Sequence, residues 1–383
     1  MRRREEAQII PVLLAESSPV VVSRPTVAPT VAQIACPRSS GVYVHLMKTT
    51  LLTVLSLFAL AGSATAAPCA TAKPECTEWI VLNGGPTRSL IYRTYALDQK
   101  NDRITRAMIM VHGAGRDADN YFRTALAAAF LAGALDDTMV ISPRFASNGG
   151  GCQDTLAPNE ISWPCNGDSW RSGGAADKDG KLTSYDFMDE ILRKVANKSV
   201  FPNVKTIVLS GHSAGGQFAN RYEMANQIHE KLGVPITYVV ANPSSYAYLD
   251  ATRPASGAGG ATEFPNFGDG RNCTTYDKWP YGLQGRTGYT SRVSDDQLKK
   301  QLAARPATYL VGEYDTLPLA GFDGSCPAMA QGASRLARGQ AFGKYVAGKY
   351  GAAHKTTVVP LCGHNARCMF TADSVLALLF PKQ

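Results

Sequence analysis

A β-prone run, Lys205-Thr-Ile-Val-Leu-Ser210, ends on Gly211-His212-Ser213-Ala214-Gly215 and passes directly into the helical pattern Gly216-Gln-Phe-Ala-Asn-Arg-Tyr-Glu-Met224. A buried strand that turns at once into a helix must cross back over its sheet, and such crossovers to a parallel strand are right-handed. The glycines on either side of the serine permit the turn, because no Cβ stands in its way. This one unit therefore places the chain among α/β sheets. It also lifts the Ser213 hydroxyl above the strand ends, at a helix N-terminus where free N–H groups and the helix dipole favour developing negative charge.

The rest of the chain repeats the alternation. Residues 79–82 and 90–95 read as an opening antiparallel pair, and 107–111, 138–142, 206–210, 238–241, 308–311 and 357–361 as apolar runs suited to buried parallel strands. Helical patterns fall at about 121–132, 184–196, 215–231, 331–350 and 372–379. The expected fold is thus a mostly parallel sheet with helices on both faces, its strand C-termini sharing one ligand-binding edge. Two stretches break the rhythm: 147–179, and 242–304, which is rich in Gly, Pro, Tyr and Trp. The longer one is expected to be a lid-like insertion over the active-site edge, since structureless loops of that length are usually functional.

A serine hydroxyl is a weak nucleophile without a base. Six histidines are present. His45 lies in the N-terminal region, His112 and His212 belong to turn motifs, His229 falls late in a helix and His354 precedes the last strand. His364 follows the final strand pattern, between Cys362 and Cys368, and is the candidate base. An acid must hold the imidazole tautomer; Asp315, just past the strand pattern at 308–311, is preferred, with Glu313 two residues away as its rival. The order Ser, acid, His separates this arrangement from the chymotrypsin and subtilisin orders. Oxyanion donors are expected from the N–H of Ala214 and from the glycine turn His112-Gly113-Ala114-Gly115, with Ala114 preferred and Gly115 in reserve. This chemistry asks for no metal and no organic cofactor.

Composition narrows the setting. The 383 residues are 45% hydrophobic and 18% charged, enough for one large catalytic domain over 67–383. The formal charge is +8, but six Lys/Arg and three Asp/Glu lie in the first 66 residues, leaving 33 against 28. That mild excess forms no basic cluster interleaved with aromatics, which argues against a nucleic-acid partner. Met47-Lys48, the apolar run 51–60 and Ala64-Thr65-Ala66 read as a signal peptide over 47–66, cut after Ala66, so the mature protein is expected to be secreted or periplasmic and free of the membrane. Residues 1–46 show no core-forming period and read as an upstream extension. Eight cysteines follow the cut and allow about 105 connectivities, so the sequence does not fix the pairing; proximity suggests Cys69 with Cys76, Cys152 with Cys165, Cys273 with Cys326 and Cys362 with Cys368. No C-x-x-C pair supports zinc.

From about Glu78 onward these motifs resemble the α/β-hydrolase superfamily. The H-G-A-G-R turn at 112–116 and the G-H-S-A-G-G elbow at 211–216 look like those of secreted esterases related to polyhydroxybutyrate depolymerases and feruloyl esterases. The resemblance implies Ser213, Asp315 and His364 as a catalytic triad acting on small-molecule or oligomeric esters. No separate substrate-binding domain or linker is read here, which favours short-chain esters over polymers. Two alternatives stay open: a peptidase or amidase using the same triad, and a catalytically inactive fold serving as a binding module.

Overall fold

The computed structural model describes residues 67–166, 169–255, 263–268, 272–319 and 321–381; the expected extension and signal peptide lie outside them. Ten strands form among the described residues: β1 (Thr77–Val81), β2 (Arg88–Arg93), β3 (Arg106–Val111), β4 (Thr138–Pro143), β5 (Ala175–Ala176), β6 (Asp179–Thr183), β7 (Thr206–His212), β8 (Ile236–Ala241), β9 (Ala307–Gly312) and β10 (Lys355–Val359). Eight of them build one sheet in the order β1-β2-β4-β3-β7-β8-β9-β10. β1, β2 and β4 pair antiparallel, and every pair from β4 to β10 is parallel.

The side-chain period of two explains why these runs are apolar throughout. On β3, Ala107, Ile109 and Val111 pack into one core, while Met108 and Met110 pack into the other. On β8, Tyr238 and Val240 face the first core, and Val239 and Ala241 the second. Helices cover both. The second core takes α1 (Ala118–Leu131), α7 (Ala366–Thr371) and α8 (Asp373–Leu379); the first takes α2 (Ser184–Val195), α3 (Ala214–Ala225), α4 (Asp295–Ala304) and α6 (Arg335–Tyr350), while the short α5 (Cys326–Met329) precedes α6.

Several boundaries differ from the sequence reading, each for a local reason. The helix expected over 215–231 stops at Ala225, because Asn226 turns to ψ 126° and its buried side chain accepts the N–H groups of Ile228 and His229. The helix expected from 331 begins at Arg335, capped by Ser334, while the Gln331 side chain bonds both backbone groups of Tyr246. β10 ends at Val359 rather than 361, since Pro360 has no N–H to give the ladder. α7, capped by Asn365, went unread in the sequence, as did α4 within 242–304 and the β5–β6 hairpin at the end of 147–179 and just beyond it. The four disulfides are the four pairs expected from proximity, with Cα separations of 5.4 to 5.9 Å.

One buried acid stands out. Glu223 of α3 is fully buried, and neither carboxylate oxygen has a hydrogen-bond partner among the described residues. Burial holds its pKa well above the ordinary carboxylate value.

Candidate active site

β7, β8, β9 and β10 are consecutive in the sheet, and the loops leaving their C-terminal ends meet at one place. Ser213 occupies the turn between β7 and α3 with φ 58° and ψ −117°, a conformation held by its own N–H bonding to Ala241 O at 2.9 Å. The neighbouring glycines are required by space. A Cβ on Gly211 would meet Gly215 O at 2.2 Å, one on Gly215 would meet Val111 O at 2.2 Å, and one on Gly216 would meet Ala241 O at 2.5 Å. The last two contacts seat the start of α3 directly against the ends of β3 and β8.

Ser213, His364 and Asp315 come together in a continuous hydrogen-bonded chain. His364 Nε2 lies 3.0 Å from Ser213 Oγ, and His364 Nδ1 lies 2.7 Å from Asp315 Oδ2. A carboxylate can only accept, so Nδ1 carries the proton and Nε2 is left to accept from the serine hydroxyl. Asp315 is fully buried, and Arg335 Nη1, equally buried, faces its other oxygen at 3.4 Å. Glu313 takes a different course: it is exposed and accepts the Leu361 N–H at 2.8 Å. Asp315 is thus the carboxylate that reaches the imidazole.

The glycine turn after β3 borders the same cleft. Its Ala114 is exposed there, Gly115 lines the cleft too, and Ala214 is the buried first residue of α3. Three groups brace the turn from beneath. Arg116 donates from Nε to Phe145 O at 2.8 Å, and its N–H bonds to Gly113 O. His112 is wholly buried among Phe145 and Trp170, its Nε2 accepts the Phe145 N–H, and its Nδ1 donates to Gly113 O. Burial pushes its pKa down to about 4, so it stays neutral. Tyr121 of α1 bonds His212 Nδ1 at 3.1 Å, and the His212 ring lies tilted against His364 with centroids 4.6 Å apart; burial holds the His212 pKa well below its usual value.

The cleft over Ser213 encloses about 640 Å³ between the glycine turn with α1 on one side and Asn365, Ala366 and Arg367 on the other. Asp117, Asn120 and Thr124 complete a lining of mixed polarity that includes no Leu, Ile, Val or Met among the described residues. None of those lining residues comes from 242–304. Within that stretch the Ser244 hydroxyl donates to Gly321 O in the cleft wall.

The sequence model described as "Alpha/beta hydrolase family" matches residues 108–377, which includes every group described above. The chain belongs to the alpha/beta hydrolase family. Two solved structures share the architecture of this alpha/beta hydrolase. The poly(3-hydroxybutyrate) depolymerase LpqC of Bordetella parapertussis is 20% identical, with 79% of this chain and 88% of that one covered and a TM-score of 0.54. The poly(aspartic acid) hydrolase-1 of Sphingomonas sp. KT-1 is 23% identical, covering 79% and 98%, also with a TM-score of 0.54. At these identities the likeness is one of fold. No curated protein matches this chain by sequence.

Two site residues of this alpha/beta hydrolase escaped the sequence reading, Arg335 behind the acid and Asn242 beneath it. The signal for Arg335 is slight, an arginine opening an otherwise ordinary helix. Asn242-Pro243 at the end of β8 reads only as the start of a loop.

Proposed function

We propose that this chain is an exported serine hydrolase that cleaves carboxylic esters through an acyl-enzyme. The observation that supports it most is the run of hydrogen bonds from Ser213 through His364 to buried Asp315 at the base of the cleft. In this reading Ser213 Oγ attacks the ester carbonyl as His364 Nε2 takes its proton. The backbone N–H groups of Ala214 and Ala114, with Gly115 as the alternative to Ala114, meet the oxyanion. His364 returns the proton to the departing alkoxide, and water then repeats the sequence on the acyl-enzyme. Asp315 fixes the imidazole tautomer and stabilises its protonated form.

A lining of mixed polarity without Leu, Ile, Val or Met supports esters with short acyl and alcohol groups over long aliphatic ones. Four disulfides support maturation in an oxidising compartment, consistent with the signal peptide expected at 47–66. A fluorophosphonate should label Ser213, and p-nitrophenyl acetate or butyrate should be turned over, while peptide anilides, offered in parallel, should be poor substrates. Ser213→Ala should stay folded and lose several orders of magnitude in turnover. Undiminished ester hydrolysis by that variant would defeat the proposal, and efficient anilide cleavage would move it to an amidase.

A further inference from the structure

Asn242 connects all three segments that bear the site residues. It follows β8 at φ 44°, a left-handed conformation that asparagine tolerates better than most side chains, and it is fully buried. Its Oδ1 accepts the Gly312 N–H at 2.8 Å, and its Nδ2 donates to Gly363 O at 3.2 Å. Gly312 opens the turn that closes on Asp315 through Asp315 N to Gly312 O, 3.0 Å; Gly363 immediately precedes His364. The residue before Asn242 supplies the carbonyl that holds the Ser213 N–H. Only one orientation of the amide satisfies a donor on one side and an acceptor on the other.

The acid and base loops also touch directly. Tyr314 N–H bonds to Cys362 O at 2.8 Å, and a Cβ on Gly312 would meet that same carbonyl at 2.6 Å. Such a close approach leaves no room for the loops to settle independently. The Asn242 amide bonds the backbone at the foot of both loops.

We propose that Asn242 is a positioning residue that fixes the registration of Asp315 and His364 against Ser213. The proposal rests on the hydrolase reading for its kinetic arm only. Asn242→Gly removes the amide while keeping a residue at home with φ 44°. Asn242→Asp keeps the volume and the acceptor toward Gly312 but sets a carboxylate oxygen against Gly363 O. Each variant is measured beside the wild type for kcat and KM per fluorophosphonate-titratable serine, for thermal midpoint, and for the downfield proton NMR signal of the His364 Nδ1–H.

Misplacement of reacting groups by about 1 Å costs on the order of 100-fold, so kcat per active serine is expected to fall at least about tenfold in both variants, with KM nearly unchanged. The Nδ1–H signal is expected to broaden or vanish. A side chain that merely fills space would lower the thermal midpoint in Asn242→Gly, leave Asn242→Asp close to wild type, and preserve kcat and the proton signal; that pattern overturns the proposal. If the wild type hydrolyses no ester, the hydrolase reading fails by itself. The proton signal then decides the clamp without it, supporting the clamp if lost in the variants and overturning it if kept.

Discussion

Arg335→Met offers a sharp quantitative test of the buried charge row at the site. Arg335 and His364 stand on opposite oxygens of the Asp315 carboxylate, at 3.4 Å and 2.7 Å. Arg335 also donates from Nε to Ser244 Oγ at 2.9 Å, and both Arg335 and Asp315 are fully buried, so salt screens little of their pairing. Removing the guanidinium leaves the buried Asp315 carboxylate and the Ser244 hydroxyl each short of a partner, and the variant should lose about 3 kcal/mol of stability. With one oxygen released, the carboxylate holds His364 less firmly, and misplacement of a reacting group by about 1 Å costs on the order of 100-fold, so kcat should fall at least about tenfold. Arg335→Lys, which keeps a charge, should recover part of both losses. The assay is initial-rate hydrolysis of a p-nitrophenyl ester beside denaturant unfolding followed by ellipticity. A folded Arg335→Met with wild-type kcat and a stability within about 0.5 kcal/mol of wild type would refute the argument that Arg335 holds the acid in place.

Two further outcomes follow from the packing. The folded state holds the Glu223 proton over a range where the unfolded chain gives it up, so this group's contribution is fully present below its ordinary value of 4.5 and is lost as pH rises toward its raised folded value. Glu223→Gln should therefore melt at a temperature that exceeds wild type increasingly from pH 5 to pH 8, and an offset that stays constant with pH would count against a neutral buried acid. Replacing Cys362 and Cys368 together with alanine opens the small loop that holds His364; the loss expected is about 2 kcal/mol with a fall in kcat, and full activity alongside a lowered melting point would show that the loop needs no bridge to place its histidine.

The sheet was legible because its strands are buried on both faces and read as unbroken apolar runs, and the elbow because its three glycines have no alternative in that space. Asp315 and Glu313 could not be separated from sequence, since both follow β9 within one turn; burial and the pairing of Glu313 with Leu361 separate them. The end of α3 was misjudged because the polar side chain that stops it, Asn226, looks like any helix-surface residue until its bonds to the Ile228 and His229 N–H groups are seen. Asn242 and Arg335 act across 70 and 20 residues of chain, and no local pattern encodes a contact at such distance.

The order of the four strands has a consequence in time. Along the sheet from β7 to β10 the chain supplies, on the proposed reading, nucleophile, clamp, acid and base in the sequence in which it is made. The base therefore arrives last, on a loop that follows an edge strand. Until β10 docks beside β9, a growing or partly unfolded chain holds a serine with nothing to deprotonate it, so hydrolysis on the proposed reading begins only when the sheet is finished.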